Sequence, residues 1–327
     1  MKKFVSILLV LVLMMSLSVA AFAEGTTDQG TTSTTPTDQR TVTIKKVYTL
    51  VGAGTSPAET FTLEQTDSCV VDGEATSAPA LKSITGAAFA QGAATANGTK
   101  GDITIELPDY TNVGVYEYTL QEVAGTTAGV TYYGNNIKLV VTVINGDDGK
   151  LRIAAVHTES AGETKSDTFT NTYSAGTLSI SKTVTGNLGD KNKYFEFKVT
   201  LTGETGKTYG TSYAVSGGTN AANPSIIKIG EETTFLLKHG ETISIANLPY
   251  HVSYTVTETA ADGYTTTKEG DTGTINAAAQ TAAFTNDKTN SSIDMGVSMD
   301  SLPYILMLVV VGAAVVVIAT RKKGEQF

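Results

Sequence analysis

The sequence has 327 residues, a length that accommodates two domains of ordinary size. Its net charge of −9 argues against a nucleic-acid partner, because nucleic-acid binding needs a basic surface. Cys69 is the only cysteine, which excludes an intramolecular disulfide. Small exported domains often depend on such covalent links, so this chain must do without one or use another kind.

The N-terminus predicts export from the cytoplasm. Lys2 and Lys3 precede an apolar run over residues 4–15, and the motif AFA at 21–23 is typical of a signal-peptide cleavage site. We therefore predict a signal peptide over residues 1–23, with an uncleaved membrane anchor as the alternative. Residues 24–40 are rich in Thr, Gly and Asp without a hydrophobic period, which predicts a disordered leader.

A first all-β domain is predicted over residues 41–174. Apolar residues alternate in TVTIKKVYTL (41–50), which indicates a strand with one buried face, and Lys46 falls on that face. After the weakly patterned residues 51–100, further strand patterns are DITIEL, VYEYTLQEV, VTYY, IKLVVTVI, LRIAAVHT and DTFTNTY. The segment NGDDGK at 145–150 lacks the spacing of a calcium loop and predicts a hairpin turn.

A second cycle of strands is predicted over residues 175–289. It begins with LSISKTV (178–184), where Lys182 lies on the apolar face. The strand patterns that follow are FEFKVTL, TTFLLKHG, ETISIANLP, HVSYTVTET, residues 264–267 and AAFTND, with a Gly- and Asn-rich loop at 203–224. Short strands at regular spacing, with no long helical period, are typical of β-sandwiches.

The two cycles repeat a set of polar residues as well as a strand order. The first has Lys46, then Glu122 in a Y-x-L-x-E motif, then Asn171 after Phe-Thr. The second has Lys182, then Glu258 in Y-x-V-x-E, then Asn286, again after Phe-Thr. Each residue shares the parity of its apolar neighbours, so all six side chains are predicted to point inward.

Two interpretations of each trio remain open. A buried ion pair is one, but it requires only the lysine and the glutamate and leaves the asparagine unexplained. A covalent crosslink is the other: a desolvated lysine can be a neutral nucleophile, and a protonated carboxyl group can polarise the carboxamide and carry a proton to the leaving ammonia. The reaction would be a single turnover of the protein on itself and would need no cofactor or metal.

In these motifs the chain resembles the sortase-assembled backbone pilins of Gram-positive bacteria, particularly the streptococcal FctA type. The Y-x-L-x-E element is similar to the E-box of that family. The resemblance implies two tandem immunoglobulin-like β-sandwich domains, with isopeptide bonds Lys46–Asn171 and Lys182–Asn286. It further implies that Glu122 and Glu258 assist their formation.

The C-terminal region is expected to attach the protein to the cell surface. Residues 302–320 form an apolar run long enough for a transmembrane helix, and residues 321–327 give a basic cytoplasmic tail. The preceding linker, residues 290–301, matches the place of a sorting signal. Its Met295-Gly296 stands where the family has Thr-Gly, so the resemblance implies that sortase attacks the Met295 carbonyl, while a membrane-held protein is the alternative.

We therefore predict a structural subunit of a cell-surface fibre whose partners are sortase and neighbouring subunits. The alternative is an adhesin or ancillary pilin whose loops 51–100 and 203–224 bind a host or bacterial ligand. Polymerisation needs an exposed lysine, and Lys165 is the candidate, with Lys191 and Lys193 as rivals. An enzyme is disfavoured, because the three histidines, His157, His239 and His251, lie in no catalytic or metal-binding motif.

Overall fold

The computed structural model describes residues 39–67, 69–75, 79–160 and 164–289. Within these residues the chain forms strands, turns and loops, and no helix there has the length and apolarity needed to cross a membrane. The predicted signal peptide, nearly all of the leader, Met295, Gly296 and the C-terminal apolar run lie outside the described residues.

The first half contains thirteen short or medium strands within the described residues. They are β1 (Thr41–Gly52), β2 (Glu59–Phe61), β3 (Leu63–Gln65), β4 (Val70–Val71), β5 (Glu74–Ala75), β6 (Ser83–Thr85), β7 (Ala87–Phe89), β8 (Thr99–Glu106), β9 (Gly114–Glu122), β10 (Val130–Thr131), β11 (Ile137–Asn145), β12 (Leu151–Ser160) and β13 (Thr164–Lys165).

One long strand, β14 (Thr168–Thr185), connects this half to the next. The nine strands that follow it in the described chain are β15 (Phe195–Thr202), β16 (Tyr213–Gly217), β17 (Ile226–Ile227), β18 (Glu232–Leu237), β19 (Thr242–Pro249), β20 (Ser253–Glu258), β21 (Thr265–Glu269), β22 (Thr272–Thr274) and β23 (Ala279–Asp287).

Strand β14 belongs to both halves. Its first part pairs in parallel with β1, and its last part pairs in parallel with β23. The sequence patterns predicted two strands here, one at each side of Gly176, and the structure shows a single strand of 18 residues. At Gly176 the Ala277 carbonyl oxygen comes so close that a Cβ atom would lie 2.1 Å from it. Glycine has no Cβ atom, so it permits this approach and the strand continues through it.

Each half has its own hydrophobic core between two facing sheets. In the first half, β1, β8 and β14 face the sheet β13-β12-β11-β9-β4-β5, and the core includes Ile44, Ile105, Tyr118 and Leu139. In the second half, β14, β19 and β23 face the sheet β18-β15-β20-β22. Alternating buried and exposed positions along the strands confirm the predicted period of two.

The structure also corrects some strand boundaries. The weakly patterned residues 51–100 contain the short strands β2 to β7, and the predicted loop 203–224 contains β16. VTYY contributes only two strand residues, and β21 is exposed along its whole length. These strands are two to five residues long and are fixed by distant partners, so their local sequences carry little alternation.

Candidate crosslinking sites

In the first half, neighbouring strands bring Lys46 and Asn171 to one face of their sheet. Lys46 lies opposite Phe169 in the parallel pairing of β1 with β14, and Asn171 is two residues further along β14. Positions two residues apart point to the same side, so both side chains enter the core. Glu122, the last residue of β9, reaches them from the facing sheet.

Glu122 bridges the other two side chains of this site. One carboxylate oxygen, Oε2, forms an ion pair with Lys46 Nζ, and the other, Oε1, accepts a hydrogen bond from Asn171 Nδ2 at 2.5 Å. Oε1 also accepts a bond from the Tyr133 backbone N–H at 3.3 Å. Lys46 and Asn171 are 1% and 0% exposed. The Asn171 carbonyl oxygen, Oδ1, is buried with no hydrogen-bond partner in the described chain.

The second half repeats this geometry with different residues. Lys182 on β14 lies opposite Phe284, and Asn286 is two residues further along β23. Glu258, the last residue of β20, contacts Lys182 Nζ through Oε1 at 2.8 Å and Oε2 at 2.9 Å. Asn286 Nδ2 donates to Glu258 Oε1 at 2.5 Å. Among the residues described, Asn286 Oδ1 likewise lacks a partner.

The surroundings of both lysines make the charged form of the amine less favourable than it is in water. Burial lowers the pKa of Lys46 and of Lys182, and the adjacent glutamate only partly offsets that effect in each case. Aromatic rings cover the amines: Nζ of Lys46 lies 5.5 Å from the Phe61 ring centre, and Nζ of Lys182 lies 4.3 Å from that of Phe195. These rings reduce contact with water.

The aromatic cover was not predicted from the sequence. Phe61 lies in the weakly patterned region, where nothing marks it as a neighbour of Lys46. Phe195 shares the parity of Phe197 in FEFKVTL, which placed it in a core but not beside Lys182. Sequence patterns give the face on which a side chain lies, whereas its neighbour on the opposite sheet depends on how the sheets pack.

The remaining candidate residues lie apart from the two sites. Lys165 is exposed on β13, whose pairing places it beside Glu159 of β12, and Lys191 and Lys193 are exposed in the second half. Cys69 is buried, as expected of a core residue. In the part of the chain that the structure describes, no three His, Cys, Asp or Glu residues are grouped to hold a metal ion.

Comparisons with known proteins agree with this architecture. A family model described as the Spy0128-like isopeptide containing domain (FctA) matches residues 42–174, and one described as a domain of unknown function (DUF7601) matches residues 176–288. A pilin of Streptococcus pyogenes serotype M1 is 30% identical over 238 residues, which cover 65% of this chain and 68% of the relative.

Two further relatives are similar over different shares of the chain. The pilus tip adhesin Cpa of Streptococcus pyogenes is 36% identical over 93 residues, which cover 28% of this chain and 13% of the adhesin. The crystal structure of the major pilin from Streptococcus pyogenes matches with a TM-score of 0.51 at 23% identity, covering 78% of this chain and 100% of that chain. This likeness shows a shared fold.

Proposed function

This chain belongs to the FctA family of pilins and is a structural subunit of a pilus, and from that premise we propose that its two buried trios form isopeptide crosslinks. The bonds would join Lys46 to Asn171 and Lys182 to Asn286. One observation supports this most strongly: in both halves a glutamate at the end of a strand holds a lysine and an asparagine at the same register offset. An ion pair alone would not require the carboxamide.

The reaction is a transfer of the asparagine acyl group from ammonia to the lysine amine. A proton first moves from Lys46 Nζ to the Glu122 carboxylate, which leaves both groups neutral. Nζ then attacks Asn171 Cγ, while the Glu122 carboxyl group donates its proton to Nδ2 and receives one from Nζ. The Nζ–Cγ bond forms, the Cγ–Nδ2 bond breaks, and ammonia leaves. Glu258 plays the same part for Lys182 and Asn286.

The unpartnered carbonyl oxygens fit this scheme. Negative charge develops on Oδ1 of the asparagine as the amine attacks, and a hydrogen bond there lowers the barrier. Rotation of the carboxamide about its Cβ–Cγ bond would bring Oδ1 to the protonated carboxyl group for the attack, and the reverse rotation of the tetrahedral intermediate would return Nδ2 to it before ammonia leaves. Folding lowers the barrier further, because it holds the amine, the acid and the amide close to one another and excludes water from them.

Intact-mass spectrometry tests this proposal directly. The secreted protein should weigh two ammonia molecules less than its sequence requires. Glu122→Gln and Glu258→Gln keep the shape of the side chain but remove the acid, so each should restore the mass of one ammonia. Glu117→Gln is the control, because Glu117 lies on the opposite face of β9, pairs with Lys138, and is remote from the reaction. A full mass in the parent protein would refute the crosslinks.

We also propose how the subunit is organised and attached. Residues 41–174 and 175–289 would be separate immunoglobulin-like domains, which the two cores and the two family matches support. Sortase would cleave after Met295 and join its carbonyl carbon to Lys165 of a neighbouring subunit, or to the cell wall at the base of the fibre. Exposure of Lys165 supports its role as the acceptor.

A further inference from the structure

A cleft of about 530 Å³ lies where the two halves meet. Its volume is within the range of small-molecule sites. Both halves contribute to its wall: the first half includes Thr55 and Tyr173, and the second half includes Tyr209, Thr211, Tyr213 and Asn247. The crosslinking sites do not line it.

The lining of this junction cleft mixes polar and apolar groups and carries no formal charge. It contains three tyrosines, four threonines, a serine, a glutamine and an asparagine, and no Asp, Glu, Lys, Arg or His. A phosphate or carboxylate would find no cation there, and an amine would find no carboxylate. A ligand that suits this wall is therefore uncharged and rich in hydrogen-bonding groups.

Two polar groups of the cleft have capacity for a ligand. Tyr213 is 5% exposed, and its buried hydroxyl group lies near the Gly210 backbone but forms no hydrogen bond of normal geometry within the described residues. Burial raises the pKa of this hydroxyl, which keeps it a neutral donor. Asn247 uses its Oδ1 to accept bonds from the Thr55 backbone N–H at 2.9 Å and the Tyr173 hydroxyl at 3.3 Å, which directs its Nδ2 donor elsewhere.

The position of Asn247 is fixed by the fold. Its backbone has a φ of 60°, in the left-handed region, and its Oδ1 lies against Gly54, where a Cβ atom would come within 2.1 Å. Asparagine adopts this conformation more readily than most residues, and the two hydrogen bonds to Oδ1 hold its side chain in place. Such a fixed donor is preorganised for binding.

We propose that the junction cleft binds a neutral saccharide. A sugar ring offers several hydroxyl groups to Tyr213, Asn247 and the threonines, and it has apolar C–H faces that pack against tyrosine rings. Tyr209, which is partly exposed, supplies such a ring. Because both halves contact the ligand, binding joins them across the junction.

Saturation-transfer NMR on the full chain, in a detergent without a sugar head group, tests the proposal. The probes are D-galactose, D-glucose and N-acetylglucosamine, with glucosamine as the cationic control and N-acetylneuraminic acid as the anionic one. At least one neutral sugar should receive saturation and the charged sugars should not. Absence of signal from all three neutral probes, or equal signal from the charged ones, would overturn the proposal.

Two variants locate the site and one serves as the matched control. Tyr213→Phe removes only the hydroxyl and should weaken binding about threefold to tenfold, as expected for one hydrogen bond. Thr211→Arg places a large cation at the exposed rim and should abolish binding. Tyr116→Phe removes a hydroxyl of the first half that donates to the Asn112 carbonyl group and does not line the cleft, so it should leave binding unchanged. Equal binding by all three variants would refute this location.

The mass of each sample separates this test from that of the crosslinks. The residues of the two buried trios do not line the cleft, so Tyr213→Phe and Thr211→Arg should retain the ammonia loss of the parent chain. Loss of sugar binding with an unchanged mass would support the cleft as a site in its own right, whereas loss of both would indicate a damaged fold and contradict the proposed local role.

Discussion

At the scale of single residues, the two buried lysines define the chemistry of the molecule. An ammonium group in a core without a partner would be costly, and each lysine is held by one glutamate. The carboxylate also binds the asparagine that would consume the amine. The same two contacts therefore stabilise the folded precursor and place its reactive atoms together.

Parity along the strands predicted that all six of these residues point inward, and their burial confirms this. Strand parity could not predict which of these side chains contact each other, because those contacts depend on the register between strands that are far apart in sequence. The pairing of Lys46 with Phe169, and of Lys182 with Phe284, supplies this information.

The pKa of Lys46 gives a prediction for a chain that cannot form the first bond. Asn171→Ala should leave the buried amine free to titrate. Because burial lowers its pKa in the folded state, the unfolded chain binds more protons between that lowered value and about 10.4. The free energy of unfolding of this variant should therefore rise with pH through that window.

Urea unfolding of the variant and of the parent protein at a series of alkaline pH values measures this effect. In the parent protein the lysine nitrogen would be an amide and would not titrate, so the difference in unfolding free energy should narrow as the pH rises. A difference that stays constant would show that the Lys46 amine is not perturbed, or that no bond exists in the parent.

At the scale of elements, β14 determines how the halves are arranged. It carries Asn171 of the first site and Lys182 of the second, so both proposed bonds share one strand. The longer alternating strands were predicted from the sequence, but the continuity of β14 was not, because glycine usually signals a turn. Gly176 lies at a close backbone contact instead, and this contact is formed only in the complete fold.

Gly176→Ala should therefore destabilise the protein by about 1–3 kcal/mol, the usual cost of forcing extra volume into a packed site. The new Cβ atom would collide with a carbonyl oxygen, which cannot rotate away as a side chain can. Thermal unfolding should show a lowered Tm. Gly134→Ala is the control, since a Cβ atom there has no neighbour within 4 Å, and its Tm should match that of the parent. Equal Tm values for both variants would contradict the close approach.

At the scale of the whole molecule, the two proposed bonds close loops of roughly one hundred residues each. A model developed for disulfides gives about 4–5 kcal/mol of stabilisation for a loop of this size, before any strain in the native state. The sites belong to separate cores, so their contributions should add within a few tenths of a kcal/mol.

Glu122→Gln, Glu258→Gln and the double variant measure these contributions by thermal unfolding and protease resistance. Each single variant should melt well below the parent, and the double variant should melt lowest. Glu117→Gln should melt with the parent. If single variants that lack the bond, as judged by mass, retained the parental Tm, the crosslinks would be thermodynamically silent.

Polymerisation through Lys165 gives a prediction about the assembled fibre. Lys165→Arg keeps the positive charge but removes the usable amine nucleophile, so it should abolish the ladder of covalent multimers on denaturing gels. Lys191→Arg and Lys193→Arg are the matched controls and should keep the ladder. In the parent, digestion of fibres should yield a branched peptide that joins Lys165 to Met295. A ladder that persists in Lys165→Arg would assign the acceptor role to another lysine.

The shared strand has a mechanical consequence. Tension that enters at Lys165 and leaves beyond residue 289 would travel along β14 to Lys182, cross to Asn286 through the proposed bond, and continue along β23. Residues 183–285 would then carry no load, and the first core would lie in the force path only through its β14 residues, such as Phe169 and Tyr173. Single-molecule pulling should detect no unfolding step in the crosslinked subunit. In Glu258→Gln the second half should extend under force.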